Sequence, residues 1–234
     1  MARLFDRNMF IILLAIMIGI ITITYFVADI VNQSKINTLT TAHVSEVEAI
    51  EKMNINFTNN FLESSVLLDT AREHRAFGNY HFDLASLFFN AALTERNTTM
   101  IESYKNITID NCTKAMPKYN ISGLNFKMAS SFFNNTKKYT EYSGYLKLLD
   151  LYINLTESGA RLTMLRYNAS EYLKYLTENL TVINGLAALD NVSDLMDLFN
   201  VTTDMYSNEL DIYEECEEEI DEYDIEGFDP NRES

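Results

Sequence analysis

The chain has no Trp, two Pro, seven Gly, two Cys and three His among 234 residues. Each scarcity excludes something. Strand-rich folds turn often and need Gly and Pro to do so, so the shortage argues for long helices. Two Cys cannot build a disulfide-dense scaffold or a Cys-rich zinc module. There is no HExxH, no closely spaced Cys pair, no Gly-rich phosphate loop and no Gly-x-Ser-x-Gly elbow. An enzyme therefore has no motif to rest on, and no cofactor or metal is expected. Only 18 basic residues face 34 acidic ones, a net charge of −16. No basic stripe follows from that balance, which argues against nucleic acid as a partner.

Abundance points elsewhere. Twelve Asn-x-Ser/Thr triplets begin at Asn32, Asn56, Asn97, Asn106, Asn111, Asn120, Asn134, Asn154, Asn168, Asn179, Asn191 and Asn200. With 24 Asn and with Ser plus Thr at 35 residues, chance would supply only about four such triplets. The triplet is the acceptor for N-linked glycan, added only on the exported side of a membrane. All twelve are glycosylation candidates.

Residues 9–28 read MFIILLAIMIGIITITYFVA, a run of 20 without a charge. At 1.5 Å per residue it is the length of a hydrocarbon core, and it predicts an uncleaved signal anchor. Arg3 and Arg7 precede the run and Asp29 follows it. The positive-inside rule then predicts a cytoplasmic segment 1–8, a spanning helix 9–28, a helical extracytoplasmic domain 29–208 and an acidic tail 209–234. The tail holds 13 acidic residues and one Arg. Such a run ordinarily forms a solvated face, and no EF-hand order of ligands occurs in it.

Both cysteines fall in the expected outer part. A Cys112–Cys216 disulfide would close a loop of about 100 residues and contribute about 4 kcal/mol in the chain-entropy model. Free or intermolecular thiols are the alternative. His43, His74 and His81 have no metal-ligand spacing and are expected at the surface.

Apolar spacing predicts helices over about 34–77, 80–95, 125–135, 139–157 and 161–184, with one or two more over 186–222. Gly78-Asn79, the polar stretch 97–111, Pro117, Gly123 and Gly185 are the expected breaks. LASLFFN at 84–90 is echoed by MASSFFN at 128–134. GNYHFDLASLFFNAAL (78–93) resembles the second half of a tetratricopeptide unit, with Gly, Tyr, Ala, an aromatic and Ala in that order. The resemblance extends loosely over 71–176 and implies stacked helix pairs. Ordinary helix-hairpin packing produces the same small-then-large pattern.

The expected fold class is therefore all-α: one transmembrane helix, then a helical-hairpin repeat or helical-bundle ectodomain. The expected role is a membrane-anchored, N-glycosylated interaction or scaffold module, more like an archaeal surface protein than an animal receptor. Its partner would be a protein or polymer at the cell surface. The alternatives are a sensory ligand-binding domain working with a separate signalling partner, and a structural subunit of a surface coat or filament.

Overall fold

The structure, a computed structural model, describes residues 2–189 and 192–223, with side chains from Tyr25 onward. Four helices carry the fold: α1 (Ala2–Thr94), α2 (Thr98–Thr136), α3 (Ser143–Glu178) and α4 (Ser193–Asp221). A 3-10 turn (Lys137–Tyr139) follows α2, and a two-stranded hairpin joins α3 to α4. The chain forms two compact units, Met1–Met53 and Asn54–Ser234. In the first, every described side chain is exposed. The second holds the core.

That core repeats every seven residues. On α2, Ile101, Thr108, Ala115, Ser122, Ala129 and Thr136 are all fully buried. A second register on the same helix, Cys112, Tyr119, Phe126 and Phe133, is buried too. On α3 the registers are Leu149, Thr156, Thr163, Ser170, Thr177 and Leu155, Leu162, Ala169, Leu176. On α1, Ala71, Gly78, Ala85 and Ala92 point inward at the same spacing. A strict seven-residue repeat is the signature of helices packed side by side at a shallow crossing angle.

The register is pinned by hydroxyls. Ser122 Oγ donates to the Ala71 carbonyl at 2.6 Å, and Thr108 Oγ1 to the Ala85 carbonyl at 3.4 Å. As α2 advances by 14 residues α1 retreats by 14, so the pair is antiparallel. Small residues at each contact let the two backbones approach closely. Gly159 of α3 faces the Phe126 ring of α2, and Ser158 Oγ donates to Glu209 of α4 at 2.6 Å. Arg72 of α1 meets Tyr213 and Glu217 of α4. These contacts close an up-down-up-down four-helix bundle.

Several expectations are corrected. The transmembrane helix is the first: among the described residues no helix is long and apolar enough to cross a membrane. Side chains of residues 9–24 lie outside the described set. From Tyr25 onward the exposed surface of α1 is mixed, with Asp29, Asn32, Gln33, Ser34 and Lys35 among Phe26, Ile30, Ile36 and Leu39. The helical-hairpin repeat is the second. Gly78-Asn79 does not break α1, because Gly78 faces inward: a Cβ there would stand 2.7 Å from the Tyr119 ring. The stretch 97–111 is not a linker, since Asn97 caps α2 by accepting from the Thr99 and Met100 amides. Pro117 sits inside α2 on its exposed side, where the carbonyl it frees on Thr113 reaches water. The two FFN segments are core-facing turns of neighbouring helices rather than units of a 44-residue array. Likewise 139–157 and 161–184 are not two helices but parts of α3 and its hairpin.

Gly185 marks a turn of another kind. Asn184 and Gly185 both adopt positive φ, 53° and 79°. They link β1 (Leu180–Ile183) to β2 (Leu186–Leu189), antiparallel, with Leu180 opposite Leu189. Asn-Gly is the favoured pair for such a turn. The acidic segment from Glu209 is no separate tail as far as Asp221. It is the second half of α4 and buries Tyr213 completely.

Candidate functional site

The buried apolar residues divide into two clusters. One is centred on Phe126, Phe133, Leu155 and Leu162, the other on Phe82, Phe89, Leu173 and Leu176. A polar waist lies where they meet. Arg75 occupies the α1 register position between Leu68 and Phe82. Its guanidinium carbon lies 4.1 Å from the Tyr213 ring centre and 5.9 Å from that of Phe126. Arg166 of α3 stands 3.8 Å from the Tyr206 ring and 4.5 Å from Phe82. Desolvated contacts of this kind contribute about 2 kcal/mol, so aromatic faces take the place of carboxylates here. Arg75 Nη1, Arg166 Nε and His74 Nδ1 are buried and have no hydrogen-bond partner among the described residues.

Around them the phenols are fixed. Tyr119 donates to Asn79 Oδ1 at 2.8 Å, and Arg72 Nε donates to the Tyr213 oxygen at 3.0 Å. Burial pushes the pKa of both tyrosines up, so they stay neutral. Burial opposes the Arg72 charge, but Tyr213 and Glu217 outweigh it and raise its pKa. Glu217 accepts from Arg72 Nη2 at 2.6 Å. The waist thus specifies which residue meets which, and it holds no nucleophile beside a base. Among the described residues no three His, Cys, Asp or Glu are grouped to hold a metal. The cleft beside the waist, between Tyr119, Gly123, Lys127, Thr163 and Tyr167, encloses about 180 Å³, less than small-molecule sites usually offer.

The cysteines sit apart, and the expected bridge is absent. Both thiols are free. Cys112 lies in the cluster around Phe82, and Cys216 packs against the one around Phe126. Burial pushes the Cys112 thiol up to about 12, leaving it protonated and inert. The Cys216 thiol is also raised, by burial first and then by Glu219 and Glu215. Of the histidines only His43 matches a surface role. His74 is half-buried, and His81 Nδ1 lies 3.0 Å from Asn111 Oδ1.

The triplet asparagines sort by helix face. Asn106, Asn120 and Asn134 on α2, Asn154 on α3 and Asn200 on α4 are exposed, and Asn168 on α3 is half-exposed. None of these six makes a side-chain hydrogen bond among the described residues. Asn32 is exposed and Asn56 half-buried. Asn97 is the α2 cap, and Asn179 follows the end of α3, its Nδ2 donating to the Tyr175 carbonyl. Asn111 is buried, and Asn191 lies outside the described residues.

Spacing alone hides one more feature. Between Asn56 and Asn97 there is no triplet, and this part of α1 exposes an apolar stripe. Leu62, Val66, Phe77, Tyr80 and Leu87 are each about half exposed or more, with Asp69 and Glu73 on the same face. An open cleft lined by Glu73, Ala76, Phe77, Tyr80 and His81 lies within it. The interior Arg75 and this stripe both have a signal in the sequence. Arg75 interrupts the seven-residue register Leu68, Phe82, Phe89, and the outer stripe is a second apolar face on a helix that already has one.

No protein-family model matches this chain, and no curated protein or solved structure shows significant similarity to it.

Proposed function

We propose that this chain is an exported helical interaction module, covered by N-linked glycans on α2, α3 and α4, which docks a protein partner through the outer face of α1. One observation carries the reading: α2, α3 and α4 carry outward triplets beside exposed apolar residues such as Ile121, Leu124, Leu198, Val201 and Met205, while the outer face of α1 between Asn56 and Asn97 is apolar and carries no triplet. Six outward asparagines of α2, α3 and α4 lie in acceptor triplets, whereas α1 from Leu62 to Leu87 has none and exposes Leu62, Val66, Phe77, Tyr80 and Leu87.

Energetics support the division. An exposed Asn within a helix costs up to about 0.7 kcal/mol relative to Ala, so six cost up to about 4 kcal/mol together. They return no hydrogen bond, so the fold gives no reason for them and a glycan does. Five large exposed apolar residues along one helical face are the opposite kind of feature, suited to burial against a partner. Asp69 and Glu73 add negative charge, so the partner would present apolar groups edged by Lys or Arg.

Intact mass of the protein from its native source tests the glycan half, before and after enzymatic release. The expected mass exceeds the 26.9 kDa of the bare chain and falls to it on release. A mass equal to the bare chain refutes that half.

A further inference from the structure

The arrangement of the triplets says when glycans are added and which triplet stays bare. This inference rests on the glycoprotein reading above. Residues i and i+2 of an α-helix lie 200° apart around its axis. A triplet within a helix therefore cannot present its Asn and its hydroxyl on the same side.

In six triplets the Asn faces out and the hydroxyl faces in. Thr108, Ser122, Thr136, Thr156 and Ser170 are fully buried, and Thr202 nearly so. Five of these hydroxyls, all but that of Thr202, are also committed, Thr108 donating to the Tyr104 carbonyl at 2.9 Å. Thr136 donates to the Phe132 carbonyl, Thr156 to Tyr152 and Ser170 to Arg166, each at 2.8 Å, and Ser122 donates across to Ala71. An enzyme that must read both members of the triplet has no access to the second one.

The triplet at Asn111 is inverted. Its Thr113 is exposed, whereas Asn111 faces the seam between α1 and α2. Both ends of its carboxamide are occupied: Oδ1 faces His81 Nδ1 at 3.0 Å, and Nδ2 donates to the Ile107 carbonyl at 2.9 Å. A sugar on Nδ2 would have to occupy that seam, beside fully buried Cys112.

We propose that glycans are attached before the bundle folds, and that folding then sorts the triplets. Asn106, Asn120, Asn134, Asn154, Asn168 and Asn200 keep their glycans at the surface. A chain modified at Asn111 cannot close the α1–α2 seam, so the folded protein is bare there.

The test is site-resolved. Full-length folded protein from the native source is deglycosylated by amidase in water enriched in the heavy oxygen isotope, which places that oxygen in the carboxyl of each occupied Asn as it becomes Asp, and is then mapped by peptide mass spectrometry. Marks among the six outward positions with none at Asn111 are expected. Marks at Asn111 comparable to those positions would overturn the sorting while leaving the glycoprotein reading intact. No mark anywhere would overturn both. In a second arm, folded protein produced in a host without glycosyltransferases, so that every acceptor is still Asn, and a synthetic peptide spanning Lys118–Leu124 are offered to glycosyltransferase-bearing membranes from the native source. The peptide should accept glycan and the folded protein should not. Acceptance by the folded protein would overturn the proposed order of events.

Discussion

Replacing Gly159 by Ala sets two well-known effects against each other. In a bare helix the change stabilises by about 1 kcal/mol, because Gly is a poor helix former. Here the added Cβ would stand 2.5 Å from Phe126 Cε1 and 2.7 Å from both Cδ1 and Cζ. Those contacts are too short for any real Cβ, so the ring must move. It is fully buried, with the Tyr213 ring centre 6.3 Å away and Arg75 over its face. Overpacking of a closed site costs about 1–3 kcal/mol, and a blocked ring takes the upper end. The net expectation is a loss of about 2 kcal/mol. Urea unfolding followed by circular dichroism would show it as a midpoint lowered by about 1 M, given an m value near 2 kcal/mol/M. Phe126→Leu removes the obstructing ring, so Gly159→Ala should cost about 1 kcal/mol less in that background. If Gly159→Ala raises stability by the bare-helix amount, the close approach of α2 and α3 described here is wrong.

Further outcomes follow from individual contacts. The Cys112 thiol titrates near 9 when unfolded and at about 12 in the bundle. The folded state thus holds the proton longer and loses stability as pH rises through that window. Denaturation midpoints should fall above pH 9, with a shallower slope in Cys112→Ala, and a slope that does not change would refute the assignment. Asn111→Ala leaves His81 without its partner and should cost about 1–2 kcal/mol in thermal or urea unfolding; an unchanged midpoint would count against the seam. Asn120→Ala and Ser122→Ala both abolish one triplet. In protein produced without glycans the first should be neutral or stabilising by up to about 0.7 kcal/mol. The second loses the bond to the Ala71 carbonyl and should cost about 1 kcal/mol. A photo-crosslinker at Phe77 or Tyr80 should capture a partner on the native surface and one at Leu124 of α2 should not; equal capture would dissolve the distinction between the faces.

Much of the fold could be read in advance, and the failures share a cause. Helical content followed directly from the shortage of Gly and Pro. Of the single helical stripe that the spacing implies, Leu162, Leu165, Ala169, Tyr172, Leu173, Leu176, Leu180 and Ile183, six are buried, Tyr172 is half-buried and Ile183 is exposed, because α3 ends at Glu178 and Ile183 belongs to β1. The expected breaks at Gly78 and Pro117 fail because local cost alone does not decide where a helix ends. A core Gly loses about 1 kcal/mol of helix propensity, but Gly78 makes room for the buried Tyr119 ring, and burying an aromatic side chain contributes about 1.5–3 kcal/mol. Asn184-Gly185 reads locally as a helix end, but in the structure it is the turn of a hairpin between β1 and β2. Arg75 is not legible as an interior residue because a charge on a helix is usually solvated, and nothing local foretells that Tyr213, 138 positions later, supplies its partner.

The same seven-residue repeat explains why the candidate surface was legible only in part. Thr108, Ser122 and Thr136 recur at intervals of 14 because they occupy one buried register of α2. Three triplets on α2 inherit that interval, and Asn154 and Asn168 repeat it on α3. Half of each triplet is therefore accounted for by packing, which weakens a bare count of triplets as evidence for glycans. The other half is not. Packing requires the small hydroxyl and is indifferent to what stands two positions earlier on the outer face, where Lys, Glu or Ala would form a better helix. Asn at all six of those positions is the part that the bundle leaves unexplained, and it is on this part that the proposal of a glycan-covered surface rests.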